Sequence, residues 1–161
     1  LSLSSEAILE NAGLLLALLI LALFIGLGIL FDIIGVAVTA ADPRPFHSMA
    51  AHKEKGAKEA LKLLRNADRV SSVCNDVVGD IVGVVSGSAG SVIAMYLVSM
   101  GLPTAFASVV ITACISAFMI GGKAVGKSFA IEKSNRIVLY VGKAMALFEN
   151  KKPKTDKKKT N

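Results

Sequence analysis

The chain has 161 residues, of which 53% are hydrophobic and 19% are charged, and its mean hydropathy is +0.62. Soluble domains carry about 25% charged residues, so this composition argues against a soluble enzyme and against a disordered or fibrous chain. In a soluble protein the net charge of +6 would suggest nucleic acid, but in so apolar a chain it points to anionic lipid. We therefore expect an integral membrane protein in contact with the lipid bilayer, with no enzymatic activity and no nucleic acid partner.

A long apolar run near the N-terminus predicts the first transmembrane helix. Residues 12–31 are uncharged, and a helix of that length rises about 30 Å, the hydrocarbon thickness of a bilayer. A signal peptide is the rival interpretation, but it needs a basic leading region, and no basic residue precedes Arg44. Because the apolar pattern continues past Asp32, we expect the span to cover about 12–38.

A basic segment follows the first span. Residues 46–69 combine a weak apolar stripe with lysine and arginine on the remaining faces, which is typical of an amphipathic helix at a membrane surface. An ordinary solvated helix is the alternative interpretation. A second amphipathic helix is predicted over 134–149, and 150–161 is expected to be a disordered Lys-rich tail.

Two further spans are predicted in a stretch without any lysine or arginine. Residues 70–122 hold two apolar runs separated by the turn Gly101-Leu102-Pro103, which predicts transmembrane helices over 72–99 and 104–126. Basic residues flank these spans but are missing from the N-terminus and from the turn. We therefore expect an all-α, three-span domain of the plasma membrane. The positive-inside rule predicts that its N-terminus lies outside, that its C-terminus lies in the cytoplasm, and that the juxtamembrane helices form a cytoplasmic belt. We expect this transmembrane domain to cover 1–149.

Acidic residues within or beside these spans are candidates for function. A charged side chain near the bilayer centre costs roughly 2.5–3.5 kcal/mol, so it persists only where it is paired, hydrated or bound to an ion. Asp76 and Asp80 are four residues apart and share a helix face, and Asp32 lies in the first span. A neighbouring stripe of small residues predicts close helix packing beside Asp80. The stripe contains Asn75, Gly79, Gly83, Gly87 and Ser91.

Two interpretations of the acids are open. In the first, side-chain oxygens bind a hard divalent cation such as Mg²⁺, and the ligands are Asp32, Asn75, Asp76 and Asp80. In the second, Lys123 neutralises one or both acids of the second span in a buried ion pair that fixes helix register. The glycine-rich segment 121–127 lacks the frame of a nucleotide-binding loop, so we expect no organic cofactor.

Three stretches of the sequence carry a family resemblance. They are KGAKEALKLLRNADRV after the first span, Gly79-Asp80 in the second span, and GGKAVGKSFAIEKSNRIVLYVGKAMALF from the end of the third. Together they resemble the transmembrane domain of the CNNM/CorC (CorB) magnesium and cobalt transporters over about residues 20–149. The resemblance implies three spans, a juxtamembrane belt, a homodimer, and a cation site of polar side chains and backbone carbonyls.

The resemblance also implies roles for individual positions. Gly79-Asp80 stands where the family has Gly-Asn, and Phe31-Asp32 stands near a family Phe-Ser, so both aspartates are implied ligands. The family motif GExxPK falls on Gly122–Lys127, with Lys123 in place of the Glu and Gly126 in place of the Pro. A cation at position 123 repels Mg²⁺, which is a departure from the pattern of a transporter.

Two other functions are left open by the sequence. Family members usually continue into paired CBS nucleotide-sensing domains, so any such regulation is expected to be absent or to come from a separate cytoplasmic partner. The alternative function is a non-transporting membrane scaffold or regulatory subunit with structural Asp–Lys pairs. A holin-like pore-former is a third hypothesis, because small size, several spans and a Lys-rich tail are holin traits.

Overall fold

The computed structural model describes the backbone of residues 2–149 and the side chains of residues 13–148. The predicted all-α, three-span fold is confirmed, and no strand occurs within 2–149. Three helical stretches are long and apolar enough to cross a membrane, namely Gly13–Ala40, Ala67–Ser99 and Thr104–Glu132. The segments in chain order are α1 (Ser2–Ala40), α2 (Arg44–Ala51), α3 (Ala57–Arg65), α4 (Ala67–Ser72), a π-helix (Val73–Val77), α5 (Val78–Ser99), α6 (Thr104–Glu132) and α7 (Ser134–Glu149).

Helices α1 and α5 run antiparallel and approach each other closely at glycines of α1. A Cβ added at Gly28 would lie 2.9 Å from Val82 Cγ1, and one added at Gly35 would lie 2.6 Å from Asn75 Oδ1. Such distances are shorter than real Cβ contacts, so a side chain at either position would displace Val82 or Asn75 from its place against α1. This use of small residues is the usual way in which helix backbones approach each other in membranes.

Helices α1 and α6 run parallel, and here α6 provides the glycines. Gly122 contacts Ile29, and a Cβ added at Gly126 would lie 2.9 Å from Ile33 Cγ1. Because the two contacts advance together along both helices, residues 29–33 of α1 and 122–126 of α6 lie at one depth of the bundle. The antiparallel contacts of α1 with the second span bring residues 75–82 to the same depth.

The second span begins as a π-helix, which the sequence analysis did not predict. Val73–Val77 follows α4 and leads directly into α5, so the stretch Ala67–Ser99 is one long helix with a wider turn near its start. A π-helix inserts an extra residue into the turn and changes the direction in which later side chains point. The face that meets α1 therefore cannot be extrapolated from residue spacing across this turn.

The predicted amphipathic helix over 46–69 is broken into the three short helices α2, α3 and α4. The chain turns between α2 and α3, where Lys53 has φ +57° and Gly56 has φ +85°. Both values belong to the left-handed region, which ends a helix. A second interruption falls at Asn66, between α3 and α4. Helix α7 covers the predicted 134–149, and the predicted tail 150–161 lies outside the described residues.

The short helices and α7 share a core with the ends of two spans. Phe46 of α2 is completely buried and is the largest side chain in this core, and Val38 of α1 and Val138 of α7 are at most 1% exposed. Burying a side chain of this size stabilises a fold by about 1.5–3 kcal/mol. Ala130 of α6 completes the contact, so this belt holds the ends of α1 and α6 together.

Helices α2 and α5 end in the same hydrogen-bonded motif with different residues at its left-handed position. At the end of α5, the N–H of Gly101 (φ +97°) donates to Val98 O at 2.9 Å, and the next N–H donates to Leu97 O at 3.3 Å. At the end of α2, the N–H of Lys53 donates to Ala50 O at 3.1 Å, and the next N–H donates to Met49 O at 2.9 Å. This is the Schellman motif, which favours glycine at the position that Lys53 occupies.

We expect Lys53→Gly to raise the free energy of unfolding by about 1 kcal/mol, because a side chain in the left-handed region costs about that much. Denaturant or thermal unfolding of the purified protein in detergent measures the change. Gly101→Ala is the matched control at the equivalent position and should lower stability by a similar amount. A loss of stability in Lys53→Gly would contradict this account of the turn.

Candidate intramembrane cation site

Asp32 is the acidic side chain that the fold buries. It lies on α1 between the two glycine contacts with the second span, and it is only 4% exposed. Its Oδ2 atom is fully buried and has no hydrogen-bond partner among the described residues. A buried polar group without a partner is costly, and an ionised one far more so. The carboxylate therefore requires a proton, a water or a cation to complete its surroundings.

Asn75 of the π-helix brings a second unpartnered oxygen to the same face of α1. Its Oδ1 atom lies against Gly35, which is one helical turn from Asp32 on α1. The Asn75 Nδ2 group donates to Ser71 Oγ at 3.2 Å, which orients the amide so that Oδ1 points toward α1. Oδ1 is buried and accepts no hydrogen bond within the described chain. The structure thus places two buried acceptor oxygens without partners at one level of the α1 contact, one of them from a carboxylate.

Lys123 lies at the depth of this pair but does not neutralise it. Its Nζ atom would be 3.8 Å from a Cβ added at Gly79, so the ammonium group reaches the surface of the second span there. The side chain is half-buried. Among side chains 13–148 it forms no ion pair with Asp32, Asp76 or Asp80. The buried Asp–Lys pair that the sequence left open is therefore not formed.

Asp76 and Asp80 do not converge with Asp32 in the single chain, contrary to the sequence prediction. Both side chains are exposed on the outer side of the second span. Their four-residue spacing predicts only that they share a face, and both are exposed; the spacing does not show which neighbour that face meets. Asp80 was also expected beside a tight helix contact, and within this chain it faces outward.

The glycines predicted to pack helices tightly do not do so within this chain. A Cβ added at Gly83 or Gly87 would meet nothing within 4 Å, and at Gly79 it would meet only the Lys123 ammonium. Gly83 and Gly87 instead line a groove of about 250 Å³ between α5 and α6. The close approach of α5 to α6 occurs at Gly90, where an added Cβ would meet Ile111 at 3.3 Å. Close packing of the predicted stripe stays a prediction for contact with another chain.

Ser86 is a third buried group whose oxygen lacks a partner. It is fully buried on α5, whereas Ser88, Ser91 and Thr112 each donate to the carbonyl oxygen four residues earlier. Eleven residues separate Ser86 from Asn75, which corresponds to roughly 16 Å along a helix. One ion cannot contact both, so Ser86 lies deeper along the same helix contact and outside the Asp32 site.

The donor set at Asp32 fits a hard cation rather than a soft metal. Within 13–148, no three His, Cys, Asp or Glu side chains lie close enough together to hold a metal ion. The available ligands are one carboxylate and one amide oxygen, which suit Mg²⁺ or Ca²⁺ but are too few to replace the whole hydration shell. Any cation bound here would keep several of its waters.

Sequence reasoning missed the residues that bury Asp32. Gly28 and Gly35 are seven residues apart and so share one face of α1, and Asp32 lies on that face between them. This seven-residue spacing is the sequence feature from which the contact around Asp32 could have been predicted. The motif positions predicted in the third span differ in their surroundings. Gly122 and Gly126 contact α1, whereas Lys127 is exposed.

We expect Gly35→Ala to lower the free energy of unfolding by about 1–3 kcal/mol, because the new methyl group overlaps Asn75 Oδ1 and forces the helices apart. Gly26→Ala on the same helix is the control, since a Cβ there meets nothing within 4 Å. Unfolding in detergent compares the two variants. Equal stability of both would show that the contact at Gly35 does not hold the site.

Comparison with known families assigns the chain as a whole. Residues 18–149 match the family described as CNNM, the cyclin M transmembrane N-terminal domain. Comparisons with curated proteins and with solved structures give no match. The family is associated with divalent-cation transport, and no CBS domain is matched. Three apolar helices and a match over more than half of its length show that the chain is a multi-pass membrane protein that belongs to the CNNM transmembrane-domain family.

Proposed function

We propose that this protein binds and passes a divalent cation, Mg²⁺ in the first place and Co²⁺ as a related ion, at an intramembrane site centred on Asp32. The observation that supports the proposal is the pair of buried, unpartnered oxygens on Asp32 and Asn75 at one depth of the bundle. Ionisable groups at such depth mark ion pathways in membrane proteins. The association of the family with divalent-cation transport agrees with this assignment.

The ligand set determines how the cation is held. Two protein oxygens leave most of the coordination sphere to water, which matches the reluctance of Mg²⁺ to lose its hydration shell. The ion therefore enters partly hydrated, bound through Asp32, with the Asn75 amide as second ligand. The protein does no covalent chemistry on it and uses no organic cofactor.

A homodimer would complete the site from outside the single chain. Asp76 and Asp80 are exposed beside a stripe whose glycines have open space, and both features suit a close contact with a second copy. In such a dimer these acids leave the lipid and add carboxylate oxygens near the pathway. The excess of lysine and arginine in the belt and after α6 supports a plasma-membrane orientation with the N-terminus outside and the belt in the cytoplasm.

We expect Mg²⁺ to raise the melting temperature of the detergent-purified protein and Asp32→Asn to abolish the increase, because the variant removes the charge that attracts the ion. Asp68→Asn is the control, since it removes an exposed acid at the start of α4. Thermal unfolding with Mg²⁺, Co²⁺ and Mn²⁺ makes the comparison. In the same assay, Asp80→Asn tests whether an acid that is exposed in the single chain adds to Mg²⁺ binding in a dimer. If Mg²⁺ stabilises neither the wild type nor any variant, the transport proposal is contradicted.

The scaffold alternative is tested at Lys123, because its ammonium group lies near Gly79, next to the acids of the second span. Under the transport proposal, Lys123→Met removes a repelling charge and tightens Mg²⁺ binding by about tenfold. Under the scaffold alternative, the protein binds no cation, so the same change leaves the response of the melting temperature to Mg²⁺ unaltered. Titration of Mg²⁺ against both proteins, read by thermal unfolding, separates the two outcomes.

A further inference from the structure

A cavity of about 880 Å³ lies between the α2–α3 turn and helix α7, at the belt end of the bundle and away from Asp32. Its volume is in the range of ordinary ligand sites. Its wall is basic, with four lysines and two glutamates, and it also contains the apolar side chains Ala146 and Leu147. The lysines are Lys53, Lys55, Lys58 and Lys143.

The fold forces these like charges together. The start of α3 crosses α7 so closely that a Cβ added at Gly56 would lie 2.6 Å from the Lys143 backbone nitrogen, and one added at Gly142 would meet the Gly56 carbonyl oxygen. This crossing brings Lys143 to the turn that holds Lys53 and Lys55 and to the first turn of α3, which holds Lys58. None of the four forms an ion pair with the side chains of 13–148. With four lysines and two glutamates in its wall, the cavity keeps a net positive charge, which favours an anionic ligand.

Lys53 occupies its place in this wall against the preference of the backbone. The equivalent position of the other Schellman motif is glycine, whereas Lys53 is the only non-glycine residue with positive φ in the described chain. Residues held in such conformations often belong to ligand clamps, where the contact they make outweighs the strain. A lysine at this position directs its side chain from a rigid turn rather than from a flexible loop.

The apolar rim of the cavity indicates the kind of anion. Leu147 borders the cavity, and Leu147, Phe148 and Tyr140 are each more than 70% exposed on α7. Large exposed apolar side chains on an amphipathic helix are buried at the boundary between headgroups and acyl chains. The ligand thus meets cations at one end of the cavity and hydrocarbon at the other. A free phosphate satisfies only the first condition, and a lipid satisfies both.

We propose that this cavity binds the phosphate headgroup of an anionic phospholipid from the leaflet in which α3 and α7 lie. The phosphate accepts hydrogen bonds from the lysines, and an acyl chain runs along Leu147. Clusters of lysine beside transmembrane helices recognise anionic headgroups by the same charge attraction. The assignment does not depend on the cation site, because none of its residues belongs to the Asp32 region.

The full-length protein in a neutral detergent provides the test. Titration with dioctanoyl phosphatidylglycerol should raise its melting temperature in a saturable way, whereas dioctanoyl phosphatidylcholine and glycerol 3-phosphate should give no comparable shift. Lys53→Gly should be more stable than the wild type without lipid and yet bind the lipid about fivefold more weakly, as loss of one lysine near a headgroup predicts. Lys143→Gln should weaken binding by a similar factor.

A control that removes twice the charge of either cavity variant separates the cavity from general attraction. The double variant Lys157→Gln and Lys158→Gln removes two lysines of the C-terminal segment and should change lipid affinity by less than about twofold at physiological salt. The proposal is overturned if this pair weakens binding as much as the cavity variants do. It is also overturned if phosphatidylcholine or glycerol 3-phosphate stabilises the protein as well as phosphatidylglycerol does.

Discussion

The burial of one carboxylate at membrane depth is the constraint around which this molecule is organised. Asp32 is buried on α1, which packs against α5 and α6, and its Oδ2 atom has no hydrogen-bond partner in the described chain. The burial is a direct consequence of glycine, since Gly28 and Gly35 on either side of Asp32 let the second span approach the α1 backbone. Packing energy from the helix contacts offsets the cost of removing the carboxylate from water. The same contacts prevent the chain from relieving that cost by moving Asp32 outward.

The belt and the site are mechanically joined through α1. Val38, in the belt core with Phe46, lies six residues beyond Asp32, which is roughly 9 Å along the same helix. Ala130 of α6 enters that core from the other span that flanks the site. A shift of the belt against the bundle would thus move both helices at the site level. This provides a physical route by which events at the membrane surface can alter the surroundings of Asp32.

The sequence predicted the spans well and the site only in part, for identifiable reasons. Uninterrupted apolar runs and the absence of charge between residues 70 and 122 determine the number of membrane-crossing helices, because the bilayer allows few other solutions. The sequence determines the surroundings of the acidic residues less strongly than it determines the spans. Asp32 was identified by its position in an apolar run, but the spacing of Asp76 and Asp80 shows only that they share a helix face, and not which neighbour that face meets. Likewise, the amphipathic pattern over 46–69 does not show that Lys53 adopts a left-handed conformation, since nothing in its residue type favours one.

The distribution of positive charge connects the two proposed sites electrostatically. Under the two proposals, a divalent cation leaving Asp32 toward the belt would meet Lys123 and then the lysines of the α2–α3 turn and α7, and each of these would repel it. An anionic headgroup in the belt cavity would neutralise part of that charge and lower the barrier at the exit. Because Lys123 is half-buried at the level of the site, salt screens it less than an exposed lysine, and its repulsion would persist whatever occupies the cavity. Binding of lipid would then change the rate at which ions pass the belt more than the affinity of the Asp32 site.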